Sequence, residues 1–384
     1  MPFDYYILKV TGRCNLNCSY CYMYNLADQT WRIQPKFMSN DVVEATAQKI
    51  LDHCVKHKLS QVVISLHGGE PLLLGINRMQ FLIEVFESKF KQENIALYFG
   101  LQTNATLINN EWMDFFARYN IPIGVSMDGP EKIHDKFRLD HGGNGSYEKI
   151  VSNIAAARRH KLANNLIKGV LCVINIESDP LEVIDHFIGL GFDDIDFLLP
   201  EGNYGEVPFG KTSFEHTPYA DWLIKAFDKW FNLNNPSIHI NMFIIIIELL
   251  LGRDIVFDSL GGASLNLVTI ETNGEMEPLD ALKSVSHGIT KTGLNVLHND
   301  IDELSDNQFI RILNMGREGT SKICKECCYF NVCGGGYLPH RYDRDSLFDN
   351  PSVYCKDLYK LINHIEGRLS LLRHMAKVAV ATTT

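Results

Sequence analysis

The 384-residue chain has no apolar run long enough to cross a bilayer. Its longest, Met242 to Leu251, is about half of what a spanning helix needs, and Glu248 interrupts it. The run is read as a buried helix. The chain also has no basic start followed by an apolar stretch, so no secretory signal is read and a cytoplasmic protein is expected. Positive charge is short: 36 Lys and Arg against 46 Asp and Glu leave a net −10. That speaks against nucleic acid as the main partner, because phosphate binding needs a basic face. No internal repeat or low-complexity segment is present. Hydrophobic residues at 46% and charged residues at 21% permit a sizeable core and exclude wholesale disorder.

What the chain has in quantity is cysteine. Ten in a chain of this length need a reason, and disulfide scaffolds are small secreted domains without such a core. Eight of the ten fall at residues 14–21 and 324–355, the clustering expected of metal or redox sites. Cys54 and Cys172 stand alone and are read as small core residues.

The first half alternates strand and helix signals. Strands are read at Tyr5–Val10, Val62–His67, Ile95–Leu101, Ile121–Met127, Ile167–Ile174 and Ile195–Leu199, with helices between them. Six βα-type repeats predict an α/β fold, a parallel sheet curled as a partial (β/α)6 barrel, with active-site residues on the rim after the strands. Residues 1–215 are assigned to this barrel, 216–265 to a connecting segment with two helices, and 266–384 to a C-terminal cysteine-rich domain. Within the last, a hairpin with a type I′ turn is read at Asn273-Gly274. A final helix is read over Asp357–Leu372, with a frayed tail from Ala376.

Cys14, Cys18 and Cys21 form C-x3-C-x2-C directly after the first strand. Three thiolates in one loop can hold three corners of a [4Fe–4S] cubane and leave the fourth iron open. A zinc site would want a fourth ligand, and His53, His57 and His67 lack zinc-finger spacing. With Tyr20 before the last Cys, the spacing resembles the signature of the radical S-adenosylmethionine (SAM) superfamily. Further segments follow in that family's order. Gly68-Gly69-Glu70-Pro71 resembles its segment whose backbone receives the SAM amino group. Thr103-Asn104 and Ser126-Met127-Asp128-Gly129 resemble two more of its strand-end segments. Arg138, followed by Gly142-Gly143-Asn144-Gly145-Ser146, resembles another. The resemblance implies that Thr103, Asn104 and Asp128 line the SAM site. It also implies that Ser126 and Arg138 hold the SAM carboxylate, and that Tyr20 and Leu198 flank the adenine.

Cys324, Cys327 and Cys333, then Cys355, resemble the SPASM extension of radical SAM enzymes that modify peptides. The family usually carries more cysteines: Tyr337 stands where one is expected, and the stretch Gly274–Asp280 has none. The four that remain imply one auxiliary [4Fe–4S] cluster, with Cys328 outside the ligand set. A structural four-cysteine zinc site is the alternative.

These parts imply a 5′-deoxyadenosyl radical that abstracts hydrogen, an auxiliary cluster that takes the surplus electron, and a base for the proton. Asp280 is the candidate base, at the position where sulfatase-maturing enzymes keep a catalytic Asp. Glu271, His340 and Arg341 are weaker substrate-binding candidates. The stretch Cys333-Gly334-Gly335-Gly336-Tyr337-Leu338-Pro339-His340-Arg341-Tyr342, with Phe348 to Cys355, resembles cyclophane-forming peptide maturases of the FxsB and GrrM type. That resemblance predicts a carbon–carbon crosslink in a ribosomal precursor peptide, with an external flavodoxin- or ferredoxin-like one-electron reductant. The alternatives are formylglycine formation, as in sulfatase maturation, another radical peptide modification, or a non-catalytic iron–sulfur or zinc protein.

Overall fold

The computed structural model describes residues 2–162 and 165–382. Its strands are β1 (Tyr5–Thr11), β2 (Gln61–Gly68), β3 (Ala96–Thr103), β4 (Ile123–Ser126), β5 (Ile167–Val173), β6 (Asp194–Leu198), β7 (His239–Ile240), β8 (Leu267–Ile270) and β9 (Met276–Glu277). Helices α1 (Asn40–His57), α2 (Ile76–Glu93), α3 (Asn110–Tyr119), α4 (Glu131–Phe137), α5 (Tyr147–Arg158) and α6 (Pro180–Gly189) alternate with the early strands. Then come α7 (Pro218–Leu233), α8 (Asn241–Leu250), α9 (Gln308–Met315), α10 (Lys322–Lys325), α11 (Phe330–Cys333) and α12 (Cys355–Thr382). The expected α/β class is what forms. The chain packs as two units, the first made of Met1–Cys172, Gly189–Asp193 and Asn266–Asn314, the second of the remainder.

In the first unit β1 is central. It pairs in parallel with β2 on one side and β8 on the other, and β2, β3, β4 and β5 follow in parallel order. All these strands therefore end at one edge, which collects the loops that carry the motifs. A strand flanked on both sides and covered on both faces should be apolar throughout. Tyr6, Leu8 and Val10 of β1 obey this, and Lys9, equally buried, breaks it.

Helix α1 shows how the covering layer is specified. The Ser39 hydroxyl accepts the Val42 N–H at 3.3 Å as N-cap, and Lys58 ends the helix with φ of 55°. Val43, Ala47, Ile50 and Cys54 recur at helical spacing and are buried, so Cys54 is a core residue as read; so is Cys172.

His53, on the same face, accepts the Phe3 N–H at Nε2 (2.9 Å), so its neutral ring carries hydrogen on Nδ1, which lies 2.9 Å from Asp302 Oδ1. With His57 and Asp302 it forms a compact cluster, but that tautomer leaves Nδ1 no lone pair for a metal. Burial lowers the His53 pKa from 6.5 to about 4. The unfolded chain binds this proton first as pH falls, so the folded state loses stability between pH 6.5 and about 4. His53→Gln should flatten that loss, by up to about 1.4 kcal/mol per pH unit, in denaturant titrations across this range.

Three local readings need correction. The β8–β9 connection is not a type I′ turn. Gly274 donates to the Glu271 carbonyl at 2.8 Å, and only Gly274, at φ +86°, is left-handed. This is a type I turn closed by a left-handed glycine, the three-residue hairpin loop. The segment after Gly129-Pro130, left without a helix in the sequence reading, forms the short α4. The last helix runs to Thr382 rather than stopping at Leu372; the tail reading for 383–384 lies outside the described residues. In the second unit, α7 and α8 are the two helices expected in the connecting segment. The greasy run is α8, with Met242, Phe243, Ile246 and Leu249 buried. No helix among the described residues is long and apolar enough to cross a membrane.

Candidate active site

Cys14, Cys18 and Cys21 lie in the loop after β1. The loop is pinned from the far side by Leu139 and Phe137, whose carbonyls accept the N–H groups of Asn17 (2.7 Å) and Ser19 (3.1 Å). Within it the Cys21 N–H reaches the Cys18 carbonyl at 3.0 Å. The Leu16 N–H lies 3.4 Å and Asn104 Nδ2 3.7 Å from the Cys14 sulfur. Burial, and then the neighbouring Glu70 carboxylate, pushes the Cys14 thiol up to about 12; burial lifts Cys18 to about 11. Without a cationic centre these sulfurs stay protonated. An iron–sulfur core would offset that cost by taking them as thiolates.

The glycine-rich loop after β2 packs directly under this loop. The Gly69 N–H donates to the Thr11 carbonyl and the Glu70 N–H to the Arg13 carbonyl, both at 3.0 Å. A Cβ on Gly69 would stand 2.1 Å from Tyr24 Oη and 2.3 Å from the Arg13 carbonyl oxygen. Gly68, at φ +146°, would place one 2.4 Å from the Thr11 carbonyl oxygen. The two glycines are required by the approach of two backbones, whatever binds above them. Gly69→Ala is therefore expected to displace the cysteine loop. After anaerobic reconstitution, its bound iron should fall to the level of a Cys14→Ala variant.

Glu70 is wholly buried, and its carboxylate accepts the Leu72 N–H (3.0 Å), the Thr103 hydroxyl (2.7 Å) and the Asn104 N–H (2.8 Å). Burial raises its pKa to about 7 against those hydrogen bonds. It ties the loop after β2 to the end of β3, and Pro71 starts the short turn beside it. Thr103 and Asn104 are thus held in place, and Asn104 is the residue that reaches Cys14.

The loop after β4 supplies a second knot. The Tyr20 hydroxyl donates to Asp128 at 2.5 Å and accepts from Arg138 Nη1 at 2.7 Å, and Arg138 lies 3.7 Å from Asp128. Arg138 Nε is buried without a hydrogen-bond partner. Such a donor suits the carboxylate expected there, because an orphaned buried N–H is costly. Ser126 faces elsewhere in part: its hydroxyl accepts from Gln102 Nε2 at 2.7 Å. Ser146 closes the segment by donating to the Arg138 carbonyl at 2.7 Å. Leu198 ends β6 in the second unit, where its carbonyl accepts the Ile174 N–H at 2.9 Å.

Asp280 is buried beneath the same rim. Its carboxylate accepts from the Lys9 ammonium and from the Tyr22 hydroxyl (2.8 Å), and Lys9 Nζ also lies 3.1 Å from His67 Nδ1. Burial alone would push the Asp280 carboxyl up. The Lys9 charge, His67 and the two hydrogen bonds outweigh it and hold the group well below the usual carboxylate range. Lys9, His67 and Tyr22 were missed in the sequence. The available signal was Lys9 itself, a lysine inside an apolar central strand, which demands a buried acid. Glu271 is also buried but is engaged by Lys283, which lies 2.8 Å from Glu277 as well. It is part of the hairpin's charge network.

In the second unit Cys324, Cys327, Cys333 and Cys355 come from α10, the turn after it, the end of α11 and the start of α12. Burial, and after it the neighbouring Cys355, Cys324 and Cys327, raise the Cys333 thiol to about 12. Four sulfurs that repel one another as anions make a set a polycation can occupy. Cys328 points out of the set, exposed, 3.8 Å from the Tyr359 hydroxyl. Gly334, Gly335 and Gly336 are all left-handed, and a Cβ on Gly334 would stand 2.0 Å from the Gly262 nitrogen. His340 and Arg341 are buried, with Arg341 donating to the Phe348 carbonyl, and Tyr354 donates to the Pro200 carbonyl at 2.7 Å.

Residues 8–188 match the Radical SAM superfamily. The chain is 27% identical to a cysteine-type anaerobic sulfatase-maturating enzyme of Clostridium novyi, over 97% of this chain and 96% of that one. It is 24% identical to a serine-type anaerobic sulfatase-maturating enzyme of Bacteroides thetaiotaomicron, over 96% and 91%. Its fold is similar to that of anSMEcpe with bound AdoMet and the Cp18Cys peptide, with a TM-score of 0.81 at 23% identity over 98% and 100% of the two chains. These relatives overturn the expectation of a cyclophane-forming maturase. The text that suggested it, residues 333–355, is taken up by packing: left-handed glycines against Gly262, and His340, Arg341 and Tyr354 inside the unit. Such residues report a loop's shape, not the bond an enzyme makes. Segment 8–188 of this chain thus matches the Radical SAM superfamily, and the similarity to sulfatase-maturating enzymes runs over nearly the whole chain.

Proposed function

We propose that this chain oxidises a cysteine or serine side chain of a polypeptide substrate to an aldehyde, the chemistry of its sulfatase-maturating relatives. The observation that carries the reading is Asp280: an ionised carboxylate beneath the strand-end rim, held by Lys9 and Tyr22. Cys14, Cys18 and Cys21 would hold the [4Fe–4S] cluster that with SAM would supply hydrogen-abstracting radical chemistry, and Cys324, Cys327, Cys333 and Cys355 would hold an auxiliary cluster, which would serve as an electron acceptor.

The chain's own residues do the rest. Arg138, with its unpaired Nε, and the loop 68–71 hold the SAM carboxylate and amino group. Tyr20, fixed between Asp128 and Arg138, flanks its adenine. Asn104 steadies the Cys14 sulfur, and Thr103, Ser126 and Asp128 keep their loops in register. Asp280 takes the hydroxyl or thiol proton of the substrate as the carbon–heteroatom double bond forms, giving the aldehyde directly from serine and, from cysteine, a thioaldehyde that water hydrolyses to the aldehyde with release of hydrogen sulfide. An external one-electron reductant of the flavodoxin or ferredoxin kind starts each turnover.

The test is anaerobic reconstitution with SAM, dithionite and peptides bearing a single cysteine or serine in a sulfatase-type sequence. The expected result is 5′-deoxyadenosine together with an aldehyde captured by a hydrazide probe. Formation of 5′-deoxyadenosine with no aldehyde from either peptide would sink the proposal.

A further inference from the structure

We infer that His67 is the terminal acceptor of the substrate proton, reached from Asp280 through Lys9; this rests on the oxidation proposed above. Lys9 and His67 are direct cross-strand partners in the β1–β2 pairing, and the Lys9 ammonium touches Asp280 on one side and His67 Nδ1, at 3.1 Å, on the other. An ammonium only donates, so His67 Nδ1 must offer its lone pair and the ring hydrogen sits on Nε2. Lys9 is sealed from water, whereas His67 is only partly buried. The three groups form a wire from the enclosed carboxylate to a half-buried residue near the end of β2.

Asp280 needs such an outlet. Once it has taken a proton, the buried pair is left as a neutral acid beside an unbalanced ammonium, which is costly. The transfer balances. The substrate O–H or S–H bond breaks and an O–H bond forms on Asp280. Lys9 then gives one proton to His67 Nδ1 and takes the Asp280 proton in its place. The carboxylate and ammonium are restored, and one positive charge now sits on the imidazole.

The charged groups bearing on His67 are Lys9 from β1 and Asp280 from the segment after β9, and β3 on its other side carries no charged residue. Burial and then Lys9 lower the His67 pKa to about 4, so a proton received there is not kept near neutral pH and is passed on to water.

His67→Gln keeps an oxygen acceptor for Lys9 but cannot take a proton. In the reconstituted full chain, with SAM, dithionite and the peptide that wild type oxidises, its aldehyde yield should fall by about a hundredfold. Release of 5′-deoxyadenosine should persist, and imidazole added to the buffer should restore product. Wild-type yield in the variant, or a loss that imidazole does not relieve, overturns the relay. Should the variant not fold, or should wild type oxidise no peptide, nitrogen-15 NMR of wild-type His67 still decides. The wire requires the Nε2–H tautomer, and hydrogen on Nδ1 overturns it. Wild type inactive on every peptide, by contrast, counts against the proposed function itself.

Discussion

Asp280→Asn is expected to lower aldehyde formation by about 10²–10⁴-fold while 5′-deoxyadenosine continues to appear. The amide is nearly isosteric with the carboxylate. It can still accept from Tyr22, whose hydroxyl lies 2.8 Å from Asp280, but it takes up no proton. Hydrogen abstraction precedes the proton step, so SAM cleavage should go on without commitment to product. The ratio of 5′-deoxyadenosine to aldehyde, measured by chromatography in single turnovers, is the informative quantity. A variant that loses both products together would mean that Asp280 shapes the site rather than accepts the proton.

The second large effect is on stability. Lys9 and Asp280 are both buried and form an ion pair. Removing one partner leaves the other as an uncompensated buried charge, so Lys9→Met should cost roughly 3–5 kcal/mol in unfolding free energy. Removing both charges should cost much less than that, because no charge is then stranded. In denaturant titrations the Lys9→Met/Asp280→Leu protein is therefore expected to be more stable than Lys9→Met alone. Additive losses would show that the two residues act independently, contrary to the contact between them. Glu271, Glu277 and Lys283 form a separate buried charge network in the same unit and serve as a control pairing.

Much of this site was legible because it is local in sequence. Cys14, Cys18 and Cys21 follow a strand, and the residues at 68–71, 103–104 and 126–128 each follow another. Parallel pairing brings those strand ends to one edge, so recognising six strands was enough to gather the motifs. The single cysteines at 54 and 172 were legible as core for the same reason, since each sits on an apolar period.

What stayed hidden depends on distance along the chain. Lys9 meets Asp280 across 271 positions, and no periodicity announces such a pair. His67 read as the end of an apolar strand, although its ring lies beside Lys9. The hairpin at 271–275 was misassigned because Asn-Gly favours a type I′ turn, while here Gly274 alone takes the left-handed position. The substrate was the least legible part. Residues 333–355 are particular enough to suggest a subtype, yet they are consumed by the packing of a cysteine-rich loop. They carry no direct record of the bond formed.

The central claim is that the two cysteine groups hold two independent iron–sulfur clusters, one for SAM and one auxiliary. Iron and sulfide per chain, measured after anaerobic reconstitution of wild type and of a Cys14/Cys18/Cys21→Ala variant, test it most directly. The account predicts about eight irons in wild type and about four in the variant, since each cubane holds four. Only about four irons in wild type, or zinc at Cys324, Cys327, Cys333 and Cys355, would contradict it and remove the electron acceptor on which the proposed oxidation depends.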